Sequence, residues 1–195
     1  RAATRADVVI VAVKPQDAPP VLDRLDRALR GRGAHGPLVI SIDAGLSIHL
    51  LERRLRRVAV ARVMPNLAAK VGCAISAVAM GRWATPSHRA LARAIFRCVG
   101  EVVELPERSF DVVTAISGSG PAYFFVIFQA LRDAGTRAGL PRSVAEHLAV
   151  QTALGSARLV VSLQEDVDRL VAQVASKKGT TEAARQISLV TQQQR

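Results

Sequence analysis

The run Val8-Val9-Ile10-Val11-Ala12-Val13 decides how the first half of the chain folds. Six consecutive apolar residues suit a strand that is buried on both faces, which is typical of a parallel sheet. The segment after it, Asp17–Arg30, has apolar residues at helical spacing, namely Val21, Leu22, Leu25 and Leu29. A buried strand followed by an amphipathic helix predicts an α/β unit.

The same alternation continues over the next seventy residues. Further strands are predicted at Leu38–Ile42, Val58–Val63, Ala74–Met80 and Glu101–Leu105. Helices are predicted between them at Ile48–Leu55 and Pro86–Val99. Strands that alternate with helices in this way favour a parallel sheet covered by helices.

After Pro106 the pattern changes to helices only. They are predicted at Phe110–Ile116, Pro121–Ala138, Pro141–Ser162, Asp166–Ala175 and Thr181–Val190. Gly139 suits a helix end and Pro141 a helix start. We therefore expect two domains, an α/β domain over residues 1–106 and an all-α domain over residues 107–195.

The segment Ser117-Gly118-Ser119-Gly120-Pro121-Ala122-Tyr123 is a candidate wall of a binding site. Its small residues allow a ligand or a second chain to approach the backbone closely, and Pro121 suits the first turn of a helix, whose free N–H groups favour an anion. The same residues also suit a capped helix packed into a core. The heptapeptide alone leaves both interpretations open.

Composition limits the function classes. The net charge of +11 comes from arginine rather than lysine, since only four of the 27 basic residues are lysines. The sequence has no zinc-finger spacing and no basic stripe interleaved with aromatic residues, so we expect no nucleic-acid partner. No metal-ligand spacing is found, and Cys73 and Cys98 are expected to be free, buried thiols. We expect a soluble cytoplasmic protein without a membrane span.

The residues from Gly31 to Gly36 match the pattern G-x-G-x-x-G by letter. A dinucleotide loop of this pattern must follow a strand and open a helix. Here the order is reversed, because a predicted helix precedes the glycines and a predicted strand follows them. We interpret the segment as a helix end and a connection.

Four segments, taken in order, resemble the pyrroline-5-carboxylate reductase family. They are Ala6–Gln16 with its Lys14-Pro15 turn, Val63-Met64-Pro65-Asn66, the Ser117–Tyr123 segment, and Ser176-Lys177-Lys178-Gly179-Thr180-Thr181. The resemblance runs from about Ala6 to about Ala184. It implies a partial Rossmann-type parallel sheet followed by a helical dimerisation domain similar to the C-terminal part of 6-phosphogluconate dehydrogenase.

The resemblance also implies a cofactor site, for NADPH or NADH. It places Ala12, Val13, Lys14 and Pro15 along the adenosine and pyrophosphate side, with Ala44, Gly45 and Asn66 near the nicotinamide. A lysine at the carboxyl end of a parallel strand independently suits ligand binding. A surface lysine beside a turn proline and a turn asparagine remain the alternative interpretations. Asp43 is an unusual acid beside the Ala44-Gly45 pair.

On the substrate side the resemblance implicates Ser176, Gly179, Thr180 and Thr181. A carboxylate substrate needs several N–H and hydroxyl donors, which a turn entering a helix provides. Thr181 takes the proton-delivery or substrate-orienting role, and we expect this turn to pack near Ser117–Gly120. A helix cap by Thr180 or Thr181 is the alternative. Lys177-Lys178 and Leu67-Ala68 depart from the family pattern of Pro-Gly and Thr-Pro.

The implied activity is hydride transfer from NAD(P)H to 1-pyrroline-5-carboxylate, giving L-proline in proline biosynthesis. The implied assembly is a homo-oligomer through the helical domain. A non-catalytic dimerising relative and a reductase for another imine or hydroxyacid are the alternatives. The family's glycine loop precedes the first strand seen here, so we expect an N-terminally truncated member or a fragment, and a chain that is inactive on its own is a further alternative.

Overall fold

A computed structural model describes residues 3–32 and 36–174 of the 195-residue chain. The described chain divides into two compact units, Arg1–Phe125 and Val126–Arg195. The first unit contains every strand found in the described residues, and the second unit is helical there.

The first unit is built on a five-stranded sheet whose strands lie side by side in chain order. The strands are β1 (Val8–Val11), β2 (Leu38–Ser41), β3 (Val60–Met64), β4 (Ala74–Met80) and β5 (Gly100–Glu104). Each of the five predicted strands is present within two residues of its expected ends. The α/β fold class predicted from the alternation is confirmed.

Three helices cover the two faces of this sheet: α1 (Ala18–Leu29), α2 (Ile48–Arg54) and α3 (Pro86–Arg97). Leucines of α1 and α2 pack with Val11, Val39 and Val60 on one face. Ala92 and Phe96 of α3 pack on the other face. Burial of these apolar side chains holds the layers together, since each fully buried leucine or phenylalanine contributes about 1.5–3 kcal/mol.

One pair of strands runs opposite to the prediction of a parallel sheet. β3 and β4 are antiparallel, with Met64 opposite Ala77, whereas the other three pairs are parallel. The cause is the short connection, which holds only a 3₁₀ helix (Leu67–Val71). A parallel pair needs a crossover of a dozen or more residues, usually a helix.

The segment after β5 is a nearly continuous helical run. A 3₁₀ turn (Glu107–Ser109) leads into α4 (Phe110–Val113), a π-helical turn (Thr114–Gly118) and α5 (Gly120–Arg137). Phe110 is fully buried against Ala77 and Ala79 of β4. The sequence predicts a turn between two separate helices at Ser117–Gly120. This prediction is wrong, because the helix changes pitch there and does not end. Ser119 N–H donates to the Thr114 carbonyl at 2.8 Å.

The second unit contains the rest of α5, then α6 (Arg142–Leu163) and α7 (Val167–Val174). Gly135 of α5 faces Ala145 of α6, where an added Cβ would lie 3.0 Å from the Ala145 Cβ. Only Ala145 and Ala149 of α6 are buried. Large apolar side chains stand exposed on both long helices, among them Ile127, Leu131, Leu148 and Leu159.

The run Glu107–Arg137 is long and apolar enough to cross a membrane by length and composition, with 11% of its most apolar stretch buried. The sequence expectation treated Phe110–Ile116 and Pro121–Ala138 as two shorter helices. The π-helical turn joins them into one run of 31 residues. This run exceeds the roughly 20 residues that a membrane-spanning helix needs, whereas each of the two predicted helices is shorter than that.

Candidate functional site

The loops after β1 and β2 meet at the carboxyl ends of these strands. Lys14 is exposed and precedes a short 3₁₀ helix that begins at Pro15. An added Cβ at Gly45 would lie 3.4 Å from the Pro15 Cβ, so the two loops are in close proximity. The structure therefore brings together two of the segments that the resemblance assigns to the cofactor, Ala12–Pro15 and Ala44–Gly45. Open α/β sheets bind ligands at this edge.

Asp43 lies beneath the Ala44-Gly45 pair and is 7% exposed. Its Oδ1 accepts a hydrogen bond from the Gly45 N–H at 2.7 Å. Its Oδ2 is buried and has no hydrogen-bond partner within the part of the chain that the structure describes. A buried carboxylate oxygen without a hydrogen-bond donor lowers the stability of the folded protein, so Asp43 Oδ2 is an unfavourable feature of this site.

Arg62 approaches the same pair from β3. Its Nη2 donates to the Ala44 carbonyl at 2.5 Å, and its Nη1 donates to Glu107 Oε1 at 3.0 Å. The guanidinium lies over the Phe110 ring at 4.9 Å. Glu107 Oε1 also accepts from the Ile48 N–H at 2.7 Å. One carboxylate thus connects the start of α2 to the middle of β3.

Asn66 follows β3 and caps the short 3₁₀ helix Leu67–Val71. Its Oδ1 accepts from the Ala68 N–H at 3.2 Å. This local contact fits the alternative interpretation, a turn asparagine, and the Asn66 amide N–H₂ group has no protein acceptor among the described residues. Asn66 lines a cavity of about 600 Å³.

This cavity is also lined by the small-residue segment and by aromatic side chains. Ser117, Gly120, Pro121, Phe124 and Phe125 form one wall, opposite the loop that contains Asn66 and Lys70. An added Cβ at Gly118 would lie 2.7 Å from the Met64 Cε. The Met-Pro-Asn and Ser-Gly-Ser-Gly-Pro segments, distant in sequence, are thus neighbours in space.

Hydroxyl groups in the small-residue segment and just before it donate to carbonyl groups of their own helix. Ser117 Oγ donates to the Val113 carbonyl at 3.0 Å, and Thr114 Oγ1 donates to the Phe110 carbonyl at 2.7 Å. A π-helical turn is rare and occurs frequently at functional sites. The interpretation of this segment as the wall of a site agrees with its place at the cavity, but the anion-binding helix start does not form.

The predicted substrate residues Ser176, Gly179, Thr180 and Thr181 lie outside the described residues, as does the Lys177-Lys178 departure. Their expected proximity to Ser117–Gly120 stays a prediction. Cys73 and Cys98 are free, as expected, but both are exposed rather than buried. Each stands at the end of an element, where the chain is near the surface.

Sequence analysis missed Arg62 and Glu107. The signal was present, because Arg62 interrupts an otherwise apolar strand and charged residues are almost never fully buried unless paired. The partner was not deducible, since Glu107 is 45 residues away along the chain.

Comparison with known proteins gives two family matches along the chain. Residues 107–188 match the family described as pyrroline-5-carboxylate reductase dimerisation. Residues 1–45 match the family described as NADP oxidoreductase, coenzyme F420-dependent.

Curated relatives match over nearly the whole chain. A pyrroline-5-carboxylate reductase of Synechocystis is 46% identical over 180 residues, which cover 92% of this chain and 66% of the relative. One from Mycobacterium tuberculosis is 40% identical over 203 residues, covering 94% of this chain and 69% of the relative. The chain thus spans about two thirds of the length of these relatives.

A solved structure agrees with the fold. The Plasmodium falciparum pyrroline carboxylate reductase, crystallised with NADP bound, superposes with a TM-score of 0.87 at 32% identity. The match covers 98% of this chain and 71% of the solved chain.

A parallel-dominated sheet with a ligand edge, followed by a helical segment that matches a dimerisation family, defines the class of Rossmann-like oxidoreductases with a helical assembly domain. Within that class, the chain belongs to the pyrroline-5-carboxylate reductase family.

Proposed function

We propose that this chain takes part in the reduction of 1-pyrroline-5-carboxylate to L-proline, the closing step of proline biosynthesis. A hydride passes from NAD(P)H to the carbon of the C=N bond, a proton is added at nitrogen, and NAD(P)⁺ leaves. The observation that supports this most is the meeting of two family segments, Met64–Asn66 and Ser117–Pro121, at one cavity.

We place the cofactor on the carboxyl edge of β1 and β2, along Ala12, Val13, Lys14 and Pro15, with Ala44, Gly45 and Asn66 toward the nicotinamide. Two features of the structure fit such a group. Gly45 presents no side chain where the two loops meet. The Asn66 amide can donate toward the cavity while its oxygen is held by the Ala68 N–H. The bound cofactor supplies the hydride, and these residues hold and orient it.

We place the substrate carboxylate against Ser176, Gly179, Thr180 and Thr181. Backbone N–H and hydroxyl donors that converge on one end of a small anion suit this task. Thr181 orients the substrate or passes the proton. A protonated imine is already electrophilic, so the site needs no strong acid.

We propose a homo-oligomer, formed through the helical half. The match of residues 107–188 to a dimerisation family and the exposed apolar side chains of α5 and α6 support this assembly. We place the functional boundary near Pro106, since β5 ends at Glu104 and the dimerisation match begins at 107. A cytoplasmic location follows from this biosynthetic role.

The test is to titrate the purified protein with NADPH and NADH by calorimetry and to follow cofactor oxidation with 1-pyrroline-5-carboxylate. The protein is joined at its N-terminus to the glycine-loop segment that the family has ahead of β1, and we expect this extended protein to bind the cofactor and to turn over the substrate. Thr181→Val keeps the shape and removes the hydroxyl, so turnover falls about tenfold or more, the scale of one hydrogen bond to a charged group. Thr191→Val, a change of the same kind outside the proposed site, is the control.

Two results would contradict the proposal. If Thr181→Val turns over as fast as the unsubstituted protein, the Thr181 hydroxyl neither orients the substrate nor passes the proton. Binding of neither cofactor by the extended protein removes the reductase function and leaves a protein that only assembles.

A further inference from the structure

The residues around the Ala44-Gly45 pair hold one peptide unit from both ends. The Ala44 carbonyl accepts from Arg62 Nη2 at 2.5 Å, and the adjoining Gly45 N–H donates to Asp43 Oδ1 at 2.7 Å. The carbonyl and the N–H belong to the same peptide bond. Its plane is therefore fixed by a cation on one side and a carboxylate on the other.

We propose that Arg62 is a positioning residue, which with Asp43 locks the Ala44–Gly45 peptide in the orientation that receives the nicotinamide end of the cofactor. The role for the cofactor rests on the proposed function. The lock itself rests on the described hydrogen bonds. Arg62 acts through the peptide and needs no contact with the cofactor.

The burial of both side chains makes the lock strong. Arg62 and Asp43 are each 7% exposed. Rotation of the peptide plane would break both hydrogen bonds at once and leave a buried cation and a buried carboxylate each short of a partner. The free-energy cost of leaving buried charged groups unpaired is far larger than the cost of losing a hydrogen bond that is exposed to solvent.

Glu107 sets the position of Arg62. Its Oε1 accepts from Arg62 Nη1 at 3.0 Å and from the Ile48 N–H at 2.7 Å. The Phe110 ring, fully buried, lies against the guanidinium at 4.9 Å. The Arg62 side chain is therefore held by the segment that follows β5, and it transmits that position to the loop after β2.

The lock has a chemical consequence for the cofactor edge. Gly45 leaves a surface without a side chain, and the hydrogen-bonding groups of its peptide with Ala44 are already engaged by the protein. A planar ring at this edge would meet a fixed, largely non-polar surface. When the geometry of a site is fixed before the ligand binds, less of the binding free energy is spent on ordering the protein.

The experiment combines amide hydrogen exchange by NMR with NADPH titration on the full chain. Arg62→Met keeps most of the side-chain length and removes the charge and both hydrogen bonds. We expect exchange of the Gly45 amide to rise at least tenfold, while the Ile40 and Val63 amides of β2 and β3 stay protected. The dissociation constant for NADPH rises at least fivefold.

Two further variants separate positioning from general stability. Arg62→Lys keeps the charge and recovers part of the Gly45 protection and of the NADPH affinity. Glu107→Gln keeps the shape and gives an intermediate effect on both. Arg54→Met is the matched control, because Arg54 forms an exposed ion pair with Asp23. We expect it to change neither measurement.

The results that overturn the proposal differ from those that overturn the proposed function. Unchanged Gly45 exchange in Arg62→Met removes the lock. Equal loss of protection at Gly45, Ile40 and Val63, without rescue by lysine, shows a general structural role instead. If wild type binds no NADPH, the Gly45 exchange alone decides whether Arg62 locks the peptide, whereas the proposed function is decided by cofactor binding in the extended protein.

Discussion

At the scale of single residues, several charged side chains of the first unit form defined ion pairs. Glu104, at the end of β5, accepts from Arg93 Nη1 at 2.6 Å and also pairs with Arg89 of the same helix. The hydrogen bond from Arg93 lowers the pKa of Glu104, and Arg89 adds to this effect. Two of the arginines that contribute to the net charge of +11 thus hold α3 against the end of β5.

This pairing predicts a pH dependence of stability. A glutamate whose pKa is lower in the folded state stabilises the fold above its unfolded pKa, and that contribution is lost as the pH falls through the folded value. We expect Glu104→Gln to cost about 1 kcal/mol at neutral pH. The difference from wild type should shrink below about pH 4.3, the ordinary value for glutamate.

The measurement is urea unfolding of both proteins from pH 7 to pH 3. Glu101→Gln is the control, since Glu101 is exposed on the same strand and makes no ion pair within the described residues. A difference between Glu104→Gln and wild type that stays constant across this range would refute the assignment.

At the scale of elements, β5 depends on a single glycine. Gly100, opposite Ala74 in the β4–β5 pair, has a φ of +147°. An added Cβ would lie 2.0 Å from the Ala74 carbonyl oxygen and 2.4 Å from its nitrogen. These are backbone atoms of the neighbouring strand, so they cannot move aside without breaking the pair.

We therefore expect Gly100→Ala to destabilise the first unit by more than about 4 kcal/mol. Gly31→Ala is the matched control, because Gly31 also has a positive φ, +84°, but has open space around it. It should cost about 1 kcal/mol, the strain of the backbone alone. Equal losses of unfolding free energy for the two variants would contradict the steric argument.

Much of the first unit could be predicted because strand and helix periodicity is a local property. The run at Val8 and the helical face of Leu22 and Leu25 gave the right elements, and the strand predicted at Ala74–Met80 has those ends. The direction of β4 could have been argued from the short connection after Met64, since a parallel crossover has no room there.

The candidate site was predictable only in part. Lys14, Gly45 and Asn66 were found from family segments, and the structure places the first two at one strand edge. The Arg62–Glu107 contact depends on tertiary packing that no local pattern encodes. The π-helical turn at Thr114–Gly118 is likewise invisible in a sequence that reads as two helices with a small-residue break.

At the scale of the whole molecule, the part of the second unit that the structure describes, up to Val174, leaves many large apolar side chains exposed. Ile127 and Leu131 of α5 are about half exposed, and α6 buries only two alanines. Many large apolar side chains exposed on the same helices favour an interface. The family match of this region indicates a second copy of the chain as its partner.

We expect light scattering to show a dimer or a larger assembly at micromolar concentration. Ile127→Glu places a charge on the exposed apolar face of α5 and should shift the protein toward monomer, with at least a tenfold weaker association. Gln129→Glu, which adds the same charge at an exposed polar position of the helix, is the control. A monodisperse wild-type monomer, or transfer of wild type into lipid vesicles instead, would contradict self-association.

The π-helical turn makes the wall of the cavity depend on residue number as well as residue type. Each residue of an α-helix advances the chain by about 100° around the axis, and a π turn contains one residue more than an α turn. Loss of one codon between Thr114 and Gly118 would preserve the reading frame and nearly all of the composition. It would also turn the π turn into an α turn of about the same angular span, so Phe124 and Phe125 would keep their direction relative to the buried Phe110. Loss of one residue from the α-helical backbone between Gly120 and Phe124 would instead rotate the two aromatic side chains by about 100°, away from the cavity that they line. The cavity wall therefore tolerates a lost residue within the π turn better than one in the α-helix that follows it.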